Sequence, residues 1–158
     1  MNAIYLDHAA TTPVDQEVIK AMQPFYSEIF ANPASSHLSG QKSAAALENA
    51  RESVAELVGA KRAEEIGFTA GGTEADNLAI KGAAMALSDQ GKHIITSAVE
   101  HHAVLKSCEY LAKHLGFEIT YLDVDQDGLV DPQELLNNIR EDTIMISIMF
   151  ANNEIGSV

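Results

Sequence analysis

At 158 residues with 46% hydrophobic content, the chain suits one domain of ordinary size with a real core, which argues against disorder of the whole. Ten Lys and Arg against 23 Asp and Glu leave a formal charge of -13, which argues against nucleic acid or an anionic membrane as main partner, so any bound phosphate needs a local positive field. The single cysteine, Cys108, excludes an internal disulfide framework; no apolar run approaches the roughly 20 residues that span a bilayer, and Met1-Asn2-Ala3-Ile4-Tyr5 lacks a basic-then-apolar leader, so a reducing cytoplasm is the expected compartment. Ile4-Tyr5-Leu6 reads as a short extended piece, and helical spacing through Val18, Met22 and Phe25 predicts a helix from Asp15 to about Tyr26. Beyond Asn32-Pro33-Ala34-Ser35-Ser36, the residues Ala46, Leu47, Ala50, Val54 and Leu57 predict a helix of about 20 residues that stops at Gly59. A strand is then expected over Glu65 to Thr69, a helix over Thr73 to about Leu87, and a strand over His93 to Ser97. The next helix runs from His102 to His114, with Leu105, Cys108, Ala112 and Leu115 on its inner face. Phe117 to Leu122 reads as a strand, Pro132 to Arg140 as a helix, and Thr143 to Met149 as an almost continuously apolar strand.

Alternating strands and helices with short links predict an α/β fold in three layers: a mainly parallel sheet with right-handed crossovers and helices on both faces. No internal repeat, low-complexity tract or flexible linker interrupts it.

A strand followed by Ala70-Gly71-Gly72-Thr73 and a helix is a recipe for holding an anion. The glycines let backbone approach closely, unpaired amides at the helix start point outward, and the helix dipole adds roughly half a positive charge there. The Thr73 hydroxyl adds a donor. A bland alternative stands beside it: Thr73 with Asp76 three residues on resembles a capping arrangement that needs no ligand. The glycine spacing is not that of a dinucleotide fingerprint, and the lysine of a nucleotide P-loop is missing.

Asp123-Val124-Asp125-Gln126-Asp127-Gly128-Leu129-Val130-Asp131-Pro132-Gln133-Glu134 satisfies the twelve-residue calcium-loop pattern. A strand rather than an entering helix precedes it, and only one such loop occurs. The commoner reading is a strand-to-helix turn, with a calcium-binding module as the competing one.

Three further motifs occur in order: Tyr5-Leu6-Asp7-His8-Ala9-Ala10-Thr11-Thr12-Pro13, Val99-Glu100-His101-His102-Ala103-Val104 and Asn152-Asn153-Glu154-Ile155-Gly156. With Asn32 to His37 and Asp76-Asn77-Leu78-Ala79-Ile80-Lys81-Gly82, they resemble the cysteine desulfurase branch of the class V aminotransferase-like enzymes, which depend on pyridoxal phosphate. The resemblance covers the whole chain. It implies that residues 1-15 associate with a smaller domain and that 16-158 form the first part of an incomplete cofactor-binding large domain. Gly71, Gly72 and Thr73 would bind the cofactor phosphate. His101 would stack on the pyridine ring and move protons as the catalytic residue, and Asn153 would hydrogen-bond near the ring and the substrate carboxylate. Without the resemblance, His101 reads more simply as a strand-end histidine bonded to backbone, and Asn153 can end a strand through turn chemistry. His102, facing away from its neighbour, is expected to be structural. No metal is expected.

The implied activity converts L-cysteine to L-alanine and leaves a persulfide on the enzyme, with the cofactor as electron sink and a thiolate as attacking group. Sulfur would pass to an acceptor or scaffold protein for iron-sulfur clusters or thio-cofactors, and the enzyme would be a homodimer. Ala70 stands where many members carry Ser, removing one hydroxyl near the phosphate. The lysine that holds the cofactor, the aspartate facing its ring nitrogen, the sulfur-accepting cysteine and the substrate arginine lie further along in the family. None of the lysines present fits that role, and Cys108 reads as a small buried core residue. The chain is therefore expected to be an amino-terminal piece, inactive alone, whose open sheet leaves an unpaired edge. A selenocysteine lyase and a catalytically inert structural fragment are the remaining alternatives.

Overall fold

The computed structural model describes residues 4-158, so the opening Met1-Asn2-Ala3, read above for a leader, lies outside the described residues. The described residues up to Phe68 form one compact unit and Thr69-Val158 a second.

In the first unit, α1 (Gln16-Ser27) starts where the Asp15 carboxylate accepts the Glu17 N-H at 2.8 Å. The second helix, α2 (Leu38-Val58), is capped by His37, whose Nδ1 accepts from the Gly40 N-H at 3.2 Å. It ends at Gly59, whose φ of 71° is the left-handed conformation that glycine adopts at little cost. Gly40 is also constrained: a Cβ there would collide with the Asn32 and Ser35 backbone carbonyls. The strand expected over Glu65 to Thr69 is absent. Ala63-Glu65 is a single 3-10 turn, the Ile66 N-H returns to the Ala63 carbonyl, and the Ile66 carbonyl accepts from the Arg51 guanidinium. A strand exists only through a ladder partner, and these backbone groups are committed elsewhere.

The second unit contains α3 (Gly72-Ala86), β1 (His93-Ser97), α4 (His102-Leu115), β2 (Glu118-Leu122), α5 (Pro132-Asn138) and β3 (Thr143-Ser147). The three strands form a parallel sheet in the order β2-β1-β3. It is the expected parallel sheet with helices, as a partial domain. His93 pairs with Glu118 on one side and Thr143 on the other, with an irregularity between His93 and Ile94 in the β3 pairing. Every residue of β1 is buried. Neighbours on a strand face opposite ways, and Ile94 and Ile95 are both fully buried, so both faces of this central strand are covered.

One core cluster joins Ile80 and Ala84 of α3, Ile94 of β1, Val104, Cys108 and Leu111 of α4, and Phe117. The inner face of α4 therefore differs from expectation. Ala103, Val104, Ser107, Cys108 and Leu111 are buried, whereas Ala112 and Leu115 are exposed. Two apolar stripes overlap on this helix and share Cys108. The helix turns Val104 and Leu111 inward, which leaves the stripe through Leu105 and Ala112 about 100° round the helix.

His93 is buried at the start of β1 with its ring nitrogens 2.7 Å from Thr143 Oγ1 and 2.8 Å from Thr120 Oγ1, so it bridges both neighbouring strands. Burial and the nearby Arg140 push its pKa below the ordinary value, against the pull of Asp142 and Glu118. With the folded-state pKa the lower of the two, the unfolded chain takes up a proton first as pH falls below about 6.5, and stability declines from there until the folded pKa is passed. The urea midpoint of the protein is expected to fall between about pH 7 and about pH 5.5, and to fall less in His93→Gln. Equal falls in both would show that His93 is not the group responsible.

Candidate functional site

The turn before α3 is held by its own residues. Glu74 Oε2 accepts the Ala70 N-H at 2.7 Å, the Thr69 hydroxyl donates to the Gly71 carbonyl at 3.1 Å, and the Glu74 and Ala75 amides return to that carbonyl, each at 3.1 Å. Glu74, rather than Thr73 with Asp76, thus ties the turn back at Ala70, one residue ahead of the N-cap. Gly71 is the N-cap, Gly72 and Thr73 open the helix, and no side chain caps this end. The Gly72 and Thr73 amides and the Thr73 hydroxyl make no hydrogen bond among the described residues. A Cβ added at Gly71 or Gly72 meets nothing within 4 Å, and Gly71 to Thr73 are exposed. Open donors, open space and a helix dipole in a chain of charge -13 form a cradle that fits a phosphate group. It lacks the expected preceding strand.

His101 lies four residues beyond the end of β1, as the N-cap of α4. Its Nδ1 accepts the Ala103 N-H at 3.1 Å, so the neutral ring carries its proton on Nε2, and the ring is exposed. The backbone-bonded reading of this histidine is therefore correct in part, since one nitrogen is taken and the other is free. His102 is the first residue of α4 and is also exposed.

Asn152 and Asn153 divide their tasks. Asn152 Oδ1 accepts the Glu154 and Ile155 amides at 2.9 and 3.0 Å, and its Nδ2 donates to the Val99 carbonyl at 3.1 Å. The turn chemistry expected of Asn153 belongs to Asn152. Asn153 is exposed, and its amide donates to Glu154 Oε1 at 2.9 Å.

Glu100, given no role from sequence, is 7% exposed. Its Oε1 accepts the Ser97 hydroxyl at 3.2 Å and the Met149 N-H at 2.5 Å. Burial holds its pKa above the usual carboxylate range, the two donors pull it down, and the charge of Asp76 raises it. Residues following β1 and β3 are bonded to each other at the carboxyl end of the sheet, which brings together the links carrying His101 and Asn153. This is the crevice where open parallel sheets place ligands. A cavity of about 390 Å³, lined mainly by apolar groups including Val99, Leu129, Val130 and Met149, lies beside the Asn152 turn; none of Gly72, Thr73, His101 or Asn153 lines it.

Cys108 is fully buried, and burial, followed by the charge of Glu100, pushes its thiol up to about 11. A thiol so placed is not a nucleophile. In the calcium-like loop, Asp125 Oδ1 accepts the Asp127 and Leu129 amides, both at 2.9 Å, Val124 bridges Val130, and Asp131 caps α5. Strand β2 precedes the loop, and among the described residues no group of three or more His, Cys, Asp or Glu is placed to hold a metal ion. No helix of the described residues is long and apolar enough to cross a membrane.

The sequence profile of the aminotransferase class-V family matches residues 4-158, and the chain belongs to that family. It is 60% identical over 155 residues, 98% of this chain and 39% of the relative, to a protein named cysteine desulfurase IscS from Dictyoglomus turgidum. Among solved structures, a NifS-like protein superposes with a TM-score of 0.91 at 41% identity, covering 98% of this chain and 42% of that one. A structure described as SspA in complex with cysteine gives 0.85 at 42% identity, covering 95% and 43%. The chain thus spans about two fifths of the length of the relatives it matches.

Proposed function

We propose that this chain supplies the phosphate cradle and one proton-transfer group of a pyridoxal-phosphate-dependent cysteine desulfurase, which takes sulfur from L-cysteine and leaves L-alanine and an enzyme-bound persulfide. The observation that carries the reading is the opening of α3, whose Gly72 and Thr73 amides are left without partners among the described residues, in a chain whose bonded loops after β1 and β3 carry two exposed polar side chains, His101 and Asn153. The identity to a named desulfurase and the likeness to a cysteine-bound relative favour L-cysteine as substrate.

Gly71, Gly72 and Thr73 would hold the cofactor phosphate through backbone amides and the Thr73 hydroxyl. When bound, pyridoxal phosphate supplies an electron sink for charge developing on the substrate amino acid. His101 would sit at the cofactor ring and act as the catalytic residue, exchanging a proton at Nε2 while the Ala103 N-H keeps Nδ1 occupied. Asn153 would bind near the ring and the substrate carboxylate through an amide that both donates and accepts. Residues 1-15 would belong with a smaller domain and 16-158 with the cofactor-binding large domain. The buried Cys108 leaves the sulfur-accepting cysteine to be supplied elsewhere in the protein. A sulfur-acceptor or scaffold protein as partner, a homodimeric assembly, service to iron-sulfur clusters and a cytoplasmic location complete the proposal. Incubation of the protein, at the length of its relatives, with L-cysteine, pyridoxal phosphate and a thiol reductant should release alanine and sulfide in equal amounts. Alanine no higher than in a protein-free control would refute the assignment.

Gly72 offers a sharper local test. Its backbone is helical and a Cβ meets no atom, so Gly72→Ala should raise stability by about 0.4-1 kcal/mol. The same methyl would stand where the phosphate must approach, and affinity for pyridoxal phosphate should fall about tenfold. Thermal unfolding of the apoprotein and a cofactor titration would move in opposite senses; unchanged affinity would remove Gly72 from the cradle.

A further inference from the structure

We infer that Glu100 is a positioning residue whose buried carboxylate clasps the link carrying His101 to the strand end carrying Asn153 and so sets the spacing between those two groups. The inference rests on the functional reading above for the roles of His101 and Asn153, and on geometry alone for the clasp.

Glu100 is the only acidic residue among the described buried residues. Burying a carboxylate is costly unless hydrogen bonds repay it, and a side chain needed only to fill space would be apolar. The bonds made are directional. The Met149 N-H lies two residues past the end of β3, and Glu100 Oε1 takes it at 2.5 Å. Ser97, the last residue of β1, steadies the same oxygen at 3.2 Å. A second bond runs parallel to the first, from Asn152 Nδ2 to the Val99 carbonyl at 3.1 Å. Glu100 immediately precedes His101 and Asn152 immediately precedes Asn153, so each proposed site residue follows directly on a clasped one. Glu100 is buried with Oε1 held by two donors, so the role assigned to it is exerted through its neighbours. Loss of the clasp would let two loops at the reacting end drift, and displacements of about 1 Å at such positions can cost about a hundredfold in rate.

The test compares Glu100→Met, which keeps volume and removes the acceptor, with Glu100→Gln, which keeps a carbonyl acceptor and removes the charge. In the cofactor-free protein, amide hydrogen exchange across 149-153 should accelerate at least about tenfold in Glu100→Met and stay near wild type in Glu100→Gln, with α4 from Ser107 to Leu111 unchanged in both. In the loaded protein, kcat for L-cysteine should fall at least about tenfold in Glu100→Met with KM within about threefold, and Glu100→Gln should restore most of it. If Glu100→Met does not fold, Asn152→Ala, which opens the second bond, carries the same exchange comparison. Unchanged exchange at 149-153, or a Gln variant as impaired as Met, would overturn the clasp. If wild type itself releases no alanine from cysteine, the functional reading fails while the exchange measurement still decides the clasp.

Discussion

Replacing His101 with asparagine in the protein at the length of its relatives should lower kcat for L-cysteine by about a hundredfold or more while leaving the melting temperature nearly unchanged, since general acid-base groups typically contribute 10²-10⁴. The choice of asparagine separates two jobs held by one side chain. As N-cap of α4, His101 accepts the Ala103 N-H, and removing that acceptor with alanine would cost about 1 kcal/mol of stability regardless of chemistry. Asparagine is a good N-cap with an oxygen in nearly the same place, yet it has no ring nitrogen to exchange a proton. Loss of rate with retained stability assigns proton transfer to Nε2. A His101→Asn variant with wild-type kcat would restrict His101 to capping.

Leu111→Ala should behave in the opposite way. Leu111 is fully buried in the cluster with Ile80, Ala84, Ile94, Val104, Cys108 and Phe117, and truncation of a leucine so placed costs about 3 kcal/mol, within the usual range of 2-5. Ten residues separate it from His101 along α4, about 15 Å of helix, so the substituted core lies far from the reacting end. Urea denaturation should show the loss, and kcat per folded molecule should stay within about threefold of wild type. A comparable loss of kcat would mean that α4 transmits core packing to its N-terminus.

The sequence was most informative where local chemistry and tertiary environment agree. His93 to Ser97 was legible to the residue, because a central parallel strand buried on both faces needs a continuous run without breakers. The end of α2 was legible because Gly59 takes a conformation that other residues avoid. Errors arose where a distant partner decides. Glu65 to Thr69 has strand-like composition, but Arg51 captures the Ile66 carbonyl and no neighbour offers a ladder. On α4 two apolar stripes share Cys108, and only the packing against α3 and β1 selects the one through Val104 and Leu111. At the site, the α3 turn keeps the open amides expected of an anion cradle, but the residue that ties it back is Glu74 rather than the Thr73 and Asp76 pair, since either Glu74 or Asp76 could reach back and only Glu74 does. Asn152 and Asn153 are the same residue type side by side, and sequence carries no phase to say which one closes the turn. Glu100 sits in a quoted motif, yet only the approach of Met149, 49 residues on, shows what it bonds. The calcium pattern has its own physical origin: Asp125 binding the Asp127 and Leu129 amides, with Gly128 at a φ of 78°, is tight-turn chemistry that calcium loops also use.

The most direct test concerns the opening of α3. Hydrogen exchange at the Gly72 and Thr73 amides would be followed in the protein with and without pyridoxal phosphate, beside a control with pyridoxal lacking the phosphate. The two amides should be protected by the phosphorylated cofactor and left open by the control; exchange at Gly72 and Thr73 that ignores bound pyridoxal phosphate would contradict the assignment.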